Sequence, residues 1–279
     1  MRLNQIVEKF YEVEKVRTGK LFLRYLRLRN PDIEKYGIIA YSYIRWLDDL
    51  VDSGTDPNKA ADILTKEEGM MKRVAQGEEF DSESYQYLSK LHQRYGDRIF
   101  ELFQKFIDGF RAYNGIIMSG NPLDKQSFVR RTIDHTLPCF QVVSLIAYGR
   151  ELQFPEDFKR LMIAWSYYDG LQDIREDLSA GLILFPKEEL DCYGVDLHRG
   201  QPLPVSFRRM YDQVRKKTIK DLLLHSSSVE MTNLPALERV ALHGYFLSRA
   251  IKLAASQYPF TEQGIVVGVP KDNQSLIKV

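Results

Sequence analysis

Cysteine is scarce in this chain. Cys139 and Cys192 are the only two in 279 residues, and they stand too far apart to outline a disulfide framework or a zinc cluster. Two isolated thiols suit a reducing compartment, so the expected location is the cytoplasm. Long apolar runs are missing as well. A membrane span needs roughly 18 apolar residues, and the best stretch, Cys139 to Tyr148, is short and interrupted by Gln141 and Ser144. The opening MRLNQIVEKFYEVEK mixes charge into every turn and lacks the apolar centre of a signal peptide. A surplus of one charge is also absent: 39 Lys and Arg against 38 Asp and Glu leave a net +1. That balance gives no bulk pull towards nucleic acid or an anionic membrane, and no nucleic-acid partner is expected. There is no Gly-rich dinucleotide fingerprint, so NADPH use has no local support. There is no Glu-x-x-His, which argues against a carboxylate-bridged di-iron bundle.

Strand-like alternation is nearly absent, whereas helical periodicity runs through most of the sequence. Helices are predicted near 4–16, 17–29, 32–52, 58–76, 82–95, 97–117, 125–136, 139–149, 156–179, 205–226 and 235–257. Turn chemistry separates them: Asn30-Pro31, Ser53-Gly54-Thr55-Asp56-Pro57, Gly77, Gly120-Asn121-Pro122, Phe154-Pro155, Gly181 and Gly200-Gln201-Pro202. No repeat, low-complexity tract or long linker divides the chain. The expected fold is all-α, a single helical domain over 1–279 packed around a central cavity, with the tail after Phe260 the least secure part.

Two aspartate clusters lie in these apolar helices. The first is Asp48-Asp49-Leu50-Val51-Asp52; the second is Asp169, Asp173 and Asp177 within DGLQDIRED. A step of four turns about 400° around a helix, so residues at that spacing share one face. At this aspartate content a chance DxxxD arises about once or twice, but a chance DxxxDxxxD arises on the order of 0.1 times. Like charges four apart cost roughly 0.2–0.5 kcal/mol per pair and call for a counter-charge. Mg²⁺ would supply it, since it takes one or two carboxylates and completes its shell with water and phosphate oxygens. The bland alternative is a solvated acidic face. Against it stand the large apolar neighbours: Tyr41, Tyr43, Ile44, Trp46 and Leu47 before the first cluster, Met162, Ile163, Trp165, Tyr167 and Tyr168 before the second.

These motifs resemble those of the squalene/phytoene synthase family. Tyr41-Ser42-Tyr43-Ile44-Arg45-Trp46-Leu47-Asp48-Asp49-Leu50-Val51-Asp52 matches the family's Tyr-x₃-Arg-x₂-Asp-Asp-x₂-Asp pattern. Asp173-Ile174-Arg175-Glu176-Asp177 matches its second acidic motif, and Gly181-Leu182-Ile183-Leu184-Phe185-Pro186 resembles the stretch that follows it. Lys20-Leu21-Phe22 looks like the substrate loop before the first acidic helix. The likeness covers about residues 18–255.

The resemblance implies an isoprenoid synthase fold that binds Mg²⁺ and ionises a prenyl diphosphate of the farnesyl or geranylgeranyl class. Head-to-head coupling through a cyclopropyl diphosphate is the family default. It implies Asp48, Asp52, Asp173 and Asp177 as catalytic metal-binding carboxylates, with Asp49 and Asp169 in support. Lys20 is the family-matched phosphate contact. Arg45 faces two readings, a diphosphate contact or an ion pair with Asp48 or Asp49. Phe22 and Tyr41 would line the hydrocarbon pocket, and Tyr245 resembles a tyrosine near the pyrophosphate; each alone is more often ordinary core. A greasy product leaves room for peripheral membrane contact.

The chain also departs from the family pattern. Where the family carries Gln and Asn, then Arg just ahead of the second motif, this sequence holds Ser166, Asp169 and Gln172. The change makes the site more negative by about two charges. A small-residue run is replaced by Arg130-Arg131-Thr132-Ile133-Asp134-His135-Thr136-Leu137-Pro138, and the basic C-terminal segment by Gly264-Ile265-Val266-Val267-Gly268-Val269-Pro270. Arg130 and Arg131 read as surface arginines before substitute cations. His135 reads as a helix-face histidine satisfied by its neighbours before a base, and Pro138 should break or kink its helix. By the resemblance, these losses fall mainly on groups serving a second diphosphate or the cyclopropyl intermediate. The first ionisation is therefore expected intact, with coupling in competition with a one-substrate reaction, terpene cyclisation or hydrolysis to a prenyl alcohol. A non-catalytic isoprenoid-binding homologue is the remaining alternative.

Overall fold

The structure, a computed structural model, describes residues 31–52, 56–198 and 201–260. The helices expected at 4–16 and 17–29, and the tail beyond Phe260, lie outside the described residues. Within them the chain is all-helical and has no β-strand. The helices are α1 Pro31–Asp52, α2 Pro57–Ala75, α3 Glu83–Tyr95, α4 Asp97–Ser119, α5 Lys125–Tyr148, α6 Glu156–Gln172, α7 Ile174–Ala180, α8 Lys187–Cys192, α9 Val205–His225 and α10 Ala236–Ala255. A 3₁₀ turn covers Ser226–Met231.

The chain divides into two compact units, each described by itself. The first comprises 1–111 and 138–152; the second comprises 112–137 and 153–279.

In the first unit, α1, α2 and α3 pack mutually. Asp56 starts α2: its Oδ1 accepts from the amides of Asn58 (2.9 Å) and Lys59 (3.1 Å), with Pro57 next in line. That arrangement satisfies two of the amides a helix start leaves open. Leu47, Leu64, Leu91, Phe103 and Phe106 are fully buried, and the Tyr43 ring lies 5.1 Å from that of Phe103. Glu67 is buried among them. Its carboxylate accepts from the Tyr85 hydroxyl at 2.7 Å and the Tyr43 hydroxyl at 3.4 Å. Burial pushes the Glu67 carboxyl up, and the two hydroxyls work against that shift.

In the second unit, α6 packs against α9, and α9 against α10. α6 is apolar around most of its surface, with Phe158, Leu161, Met162, Ala164, Tyr167, Tyr168 and Leu171 buried. A helix of that pattern belongs in a core, and it carries the second aspartate cluster out of one. Asp124 caps α5, accepting from the Ser127 amide at 2.8 Å and the Ser127 hydroxyl at 2.7 Å.

Two expected boundaries change. Pro138 does not end a helix: α5 runs unbroken from Lys125 to Tyr148, with the proline ring itself buried. The helix expected over 156–179 is interrupted at Asp173, where φ −97° and ψ 6° leave the helical region.

Candidate active site

The first cluster is carried by α1 in the first unit. Leu47 anchors the face behind it with 0% exposure, while Trp46 on the next face is 44% exposed. Arg45 pairs with Asp48, Nη1 to Oδ2 at 2.6 Å, one turn along the helix. This is the ion pair that the second reading of Arg45 expected. Both side chains keep substantial exposure, so the pair contributes little to stability. Tyr41 is half-buried on the same helix. Asp49 and Asp52 lie on α1, but their side chains fall outside the described residues, as do Lys20 and Phe22 altogether.

The second cluster is built at the junction of α6 and α7. The Asp173 amide donates to the Asp169 carbonyl at 3.0 Å, and the Asp177 amide to the Asp173 carbonyl at 3.0 Å. The first bond closes α6 and the second opens α7, so the helix is interrupted at Asp173 while the three aspartates follow one another at about one turn. Asp169 and Asp173 are exposed and Asp177 is half-buried. α7 then stops at Gly181, which adopts φ 83°. The Leu182 amide donates to the Asp177 carbonyl at 2.8 Å and the Gly181 amide to the Leu178 carbonyl at 3.1 Å. This paired closure needs a left-handed residue, which glycine supplies without a Cβ penalty.

Aromatic and cationic side chains stand around this acidic face. Tyr113, near the end of α4, has its hydroxyl pKa raised by burial and also by the charges of Asp169 and Asp177; Arg131 opposes the shift. Tyr245 on α10 shows the same pattern: burial raises it, Arg249 opposes, and Asp169 and Tyr168 add to the rise. Tyrosines from two other helices thus feel the acidic face. Arg249 lies 4.4 Å from the Tyr245 ring centre and 5.8 Å from that of Tyr168. Trp165 completes the cluster, edge-on to Tyr245 at 6.3 Å. Tyr245 thus stands near enough to Asp169 to feel its charge.

Sequence reasoning missed the role of α5. Arg130 is exposed and lies 3.9 Å from Asp134, as expected of a surface arginine. Arg131 is not on the surface. It is only 7% exposed, with its guanidinium carbon 4.1 Å from the Tyr113 ring centre and 5.5 Å from that of Phe128. The Arg130-Arg131 dipeptide carries no clue to which member faces inward. The clue was the helical step of three or four from Phe128 to Arg131 and Thr132, which puts them on one face. His135, one turn later, meets the Tyr113 ring edge-on at 5.4 Å, while its neighbour Asp134 is near Arg130. Burial, aided by the Arg131 charge, pulls the His135 imidazole down to about 3, so it is neutral near pH 7.

Among the described residues, no three His, Cys, Asp or Glu side chains come together as a ready metal cluster. The donor set at Asp169, Asp173 and Asp177 instead offers one carboxylate per turn, and Mg²⁺ takes only one or two from protein. No family model matches the chain, and no curated protein matches it.

Proposed function

We propose that this chain ionises a long-chain prenyl diphosphate in a Mg²⁺-dependent reaction, on an isoprenoid synthase fold resembling that of squalene and phytoene synthases. The observation that carries the reading is the second acidic face. Three aspartates follow one another at about one turn across the α6–α7 junction, each linked to the one before by a backbone hydrogen bond, beside Tyr113, Trp165, Tyr168 and Tyr245 and the cation Arg249.

Asp169, Asp173 and Asp177 would hold Mg²⁺ in the second unit, and the sequence resemblance implies the same role for Asp48, Asp49 and Asp52. When bound, Mg²⁺ neutralises charge developing on the departing diphosphate. The chain's own residues supply the rest. Arg249 places a cation beside Tyr245, within reach of the field of Asp169. Trp165, Tyr168 and Tyr245 offer aromatic faces that stabilise a carbocation and keep water from it. His135, neutral at physiological pH, is in a state to accept a proton from a carbocation intermediate.

Head-to-head coupling is the default product class. The replacement of the family's Asn and Arg by Asp169 and Gln172 favours a one-substrate outcome, cyclisation or hydrolysis, as the second reading. Mass analysis of the product from farnesyl or geranylgeranyl diphosphate with Mg²⁺ separates them. A doubled carbon count means coupling, and an unchanged count means cyclisation or hydrolysis. Inertness with every prenyl length tested would remove the proposal.

A further inference from the structure

Arg131 is a buried cation with unused hydrogen-bonding capacity. Its Nε and Nη1 are both shielded from solvent, and neither reaches an acceptor among the described residues. Burying a guanidinium costs several kcal/mol unless it is paired, and the rings of Tyr113 and Phe128 offset only part of that. Buried donors left open in this way call for a cause such as a ligand.

Its helix fixes where the group stands. On α5, Phe128 meets the Tyr167 ring of α6 at 5.0 Å, and the Thr132 hydroxyl lies 3.5 Å from that of Ser166. Arg131 lies on the stretch between these two anchors, and Ser166 and Tyr167 immediately precede Asp169. Tyr113, which stacks on Arg131, itself feels the charges of Asp169 and Asp177. Nε and Nη1 point along different edges of the guanidinium plane. A single carboxylate, which grips one edge, does not satisfy both, whereas a diphosphate carries oxygens on two phosphoryl groups.

We infer that Arg131 binds the diphosphate of the ligand directly, its Nε and Nη1 donating to oxygens on separate phosphoryl groups. The inference rests on the prenyl-diphosphate reading above and adds to it a cation that the acidic motifs do not predict. It also accounts for the local sequence. A buried arginine on α5 supplies positive charge beside a cluster made more acidic by Asp169.

The test is calorimetric titration of the full chain with inorganic pyrophosphate in the presence of Mg²⁺. Arg131→Gln should weaken binding about 10- to 100-fold, the range expected for losing charge-assisted hydrogen bonds. Arg131→Lys should fall between it and the unaltered chain. Arg130→Gln, which alters an exposed side chain near Asp134, should bind within about twofold of the unaltered chain. Because Arg131→Gln removes a buried group and could unfold the chain, a second readout uses unaltered protein labelled with ¹⁵N-arginine. Pyrophosphate with Mg²⁺ should shift one Nε–H resonance that is missing in Arg131→Lys. Binding by a folded Arg131→Gln within twofold of the unaltered chain, or no shift of that resonance on saturation, overturns the assignment and leaves the proposed function standing. Failure of the unaltered chain to bind pyrophosphate and to turn over any prenyl diphosphate overturns both.

Discussion

The amide of Asp177 hydrogen-bonds at 3.0 Å to the carbonyl of Asp173, the residue at which one helix has ended and the next begins. The bend at Asp173 redirects the chain, and Asp173 still links Asp169 before it to Asp177 after it through backbone hydrogen bonds. Whatever closes α7 therefore also fixes Asp177.

That closure is Gly181. Its φ of 83° is left-handed, so Gly181→Ala should cost about 1–2 kcal/mol. Gly170→Ala is the contrast. An added Cβ there would meet Leu184 at 3.5 Å, an ordinary contact, and alanine favours the helix by about 0.5–1 kcal/mol. Denaturant midpoints should fall for Gly181→Ala and hold or rise for Gly170→Ala. Equal midpoints would remove the argument from backbone conformation.

The buried carboxylate of Glu67 supports a prediction in the first unit. Tyr85→Phe removes the 2.7 Å bond and leaves Oε1 without that donor, at a cost of about 1–3 kcal/mol. Tyr43→Phe removes a 3.4 Å bond and should cost less. Urea unfolding of the two variants ranks them, and the reverse order would show that Tyr43 is the principal donor.

His135 gives the chain a pH dependence of definite sign. Folded, it titrates near 3, against an ordinary value of 6.5. Between those limits the unfolded chain holds the extra proton. Stability from this group is thus present above about 6.5 and is lost on acidification towards 3, by at most about 1.4 kcal/mol per pH unit. His135→Gln should lose less stability than the unaltered chain between pH 7 and pH 4. Parallel stability curves would mean that His135 is not held neutral.

Most of the helices were legible because their apolar spacing and turn residues agree. The segment expected over 32–52 is α1 within one residue, and 97–117 is α4 less its last two residues. Disagreement arose where tertiary packing overrides local signals. Pro138 reads as a breaker, but α5 continues through it with the proline ring buried. DGLQDIRED reads as one helix, since no sequence signal marks the bend at Asp173. The short α8 was missed because six residues show no periodicity; it is tied in by the Lys187 amide donating to the Leu123 carbonyl at 2.8 Å. In the candidate site, the turn-by-turn spacing of the aspartates was readable. The inward turn of Arg131 was not, because it depends on Tyr113, far away in sequence.

Pyrophosphate release from geranylgeranyl or farnesyl diphosphate is the most direct measurement of the central claim. With Mg²⁺ the unaltered chain should release it steadily, and EDTA should abolish release. Asp173→Asn and Asp177→Asn should each lower the rate by at least about 100-fold, about 2.7 kcal/mol of barrier, with unchanged melting. Release that ignores EDTA, or survives in both variants at the unaltered rate, would contradict the claim.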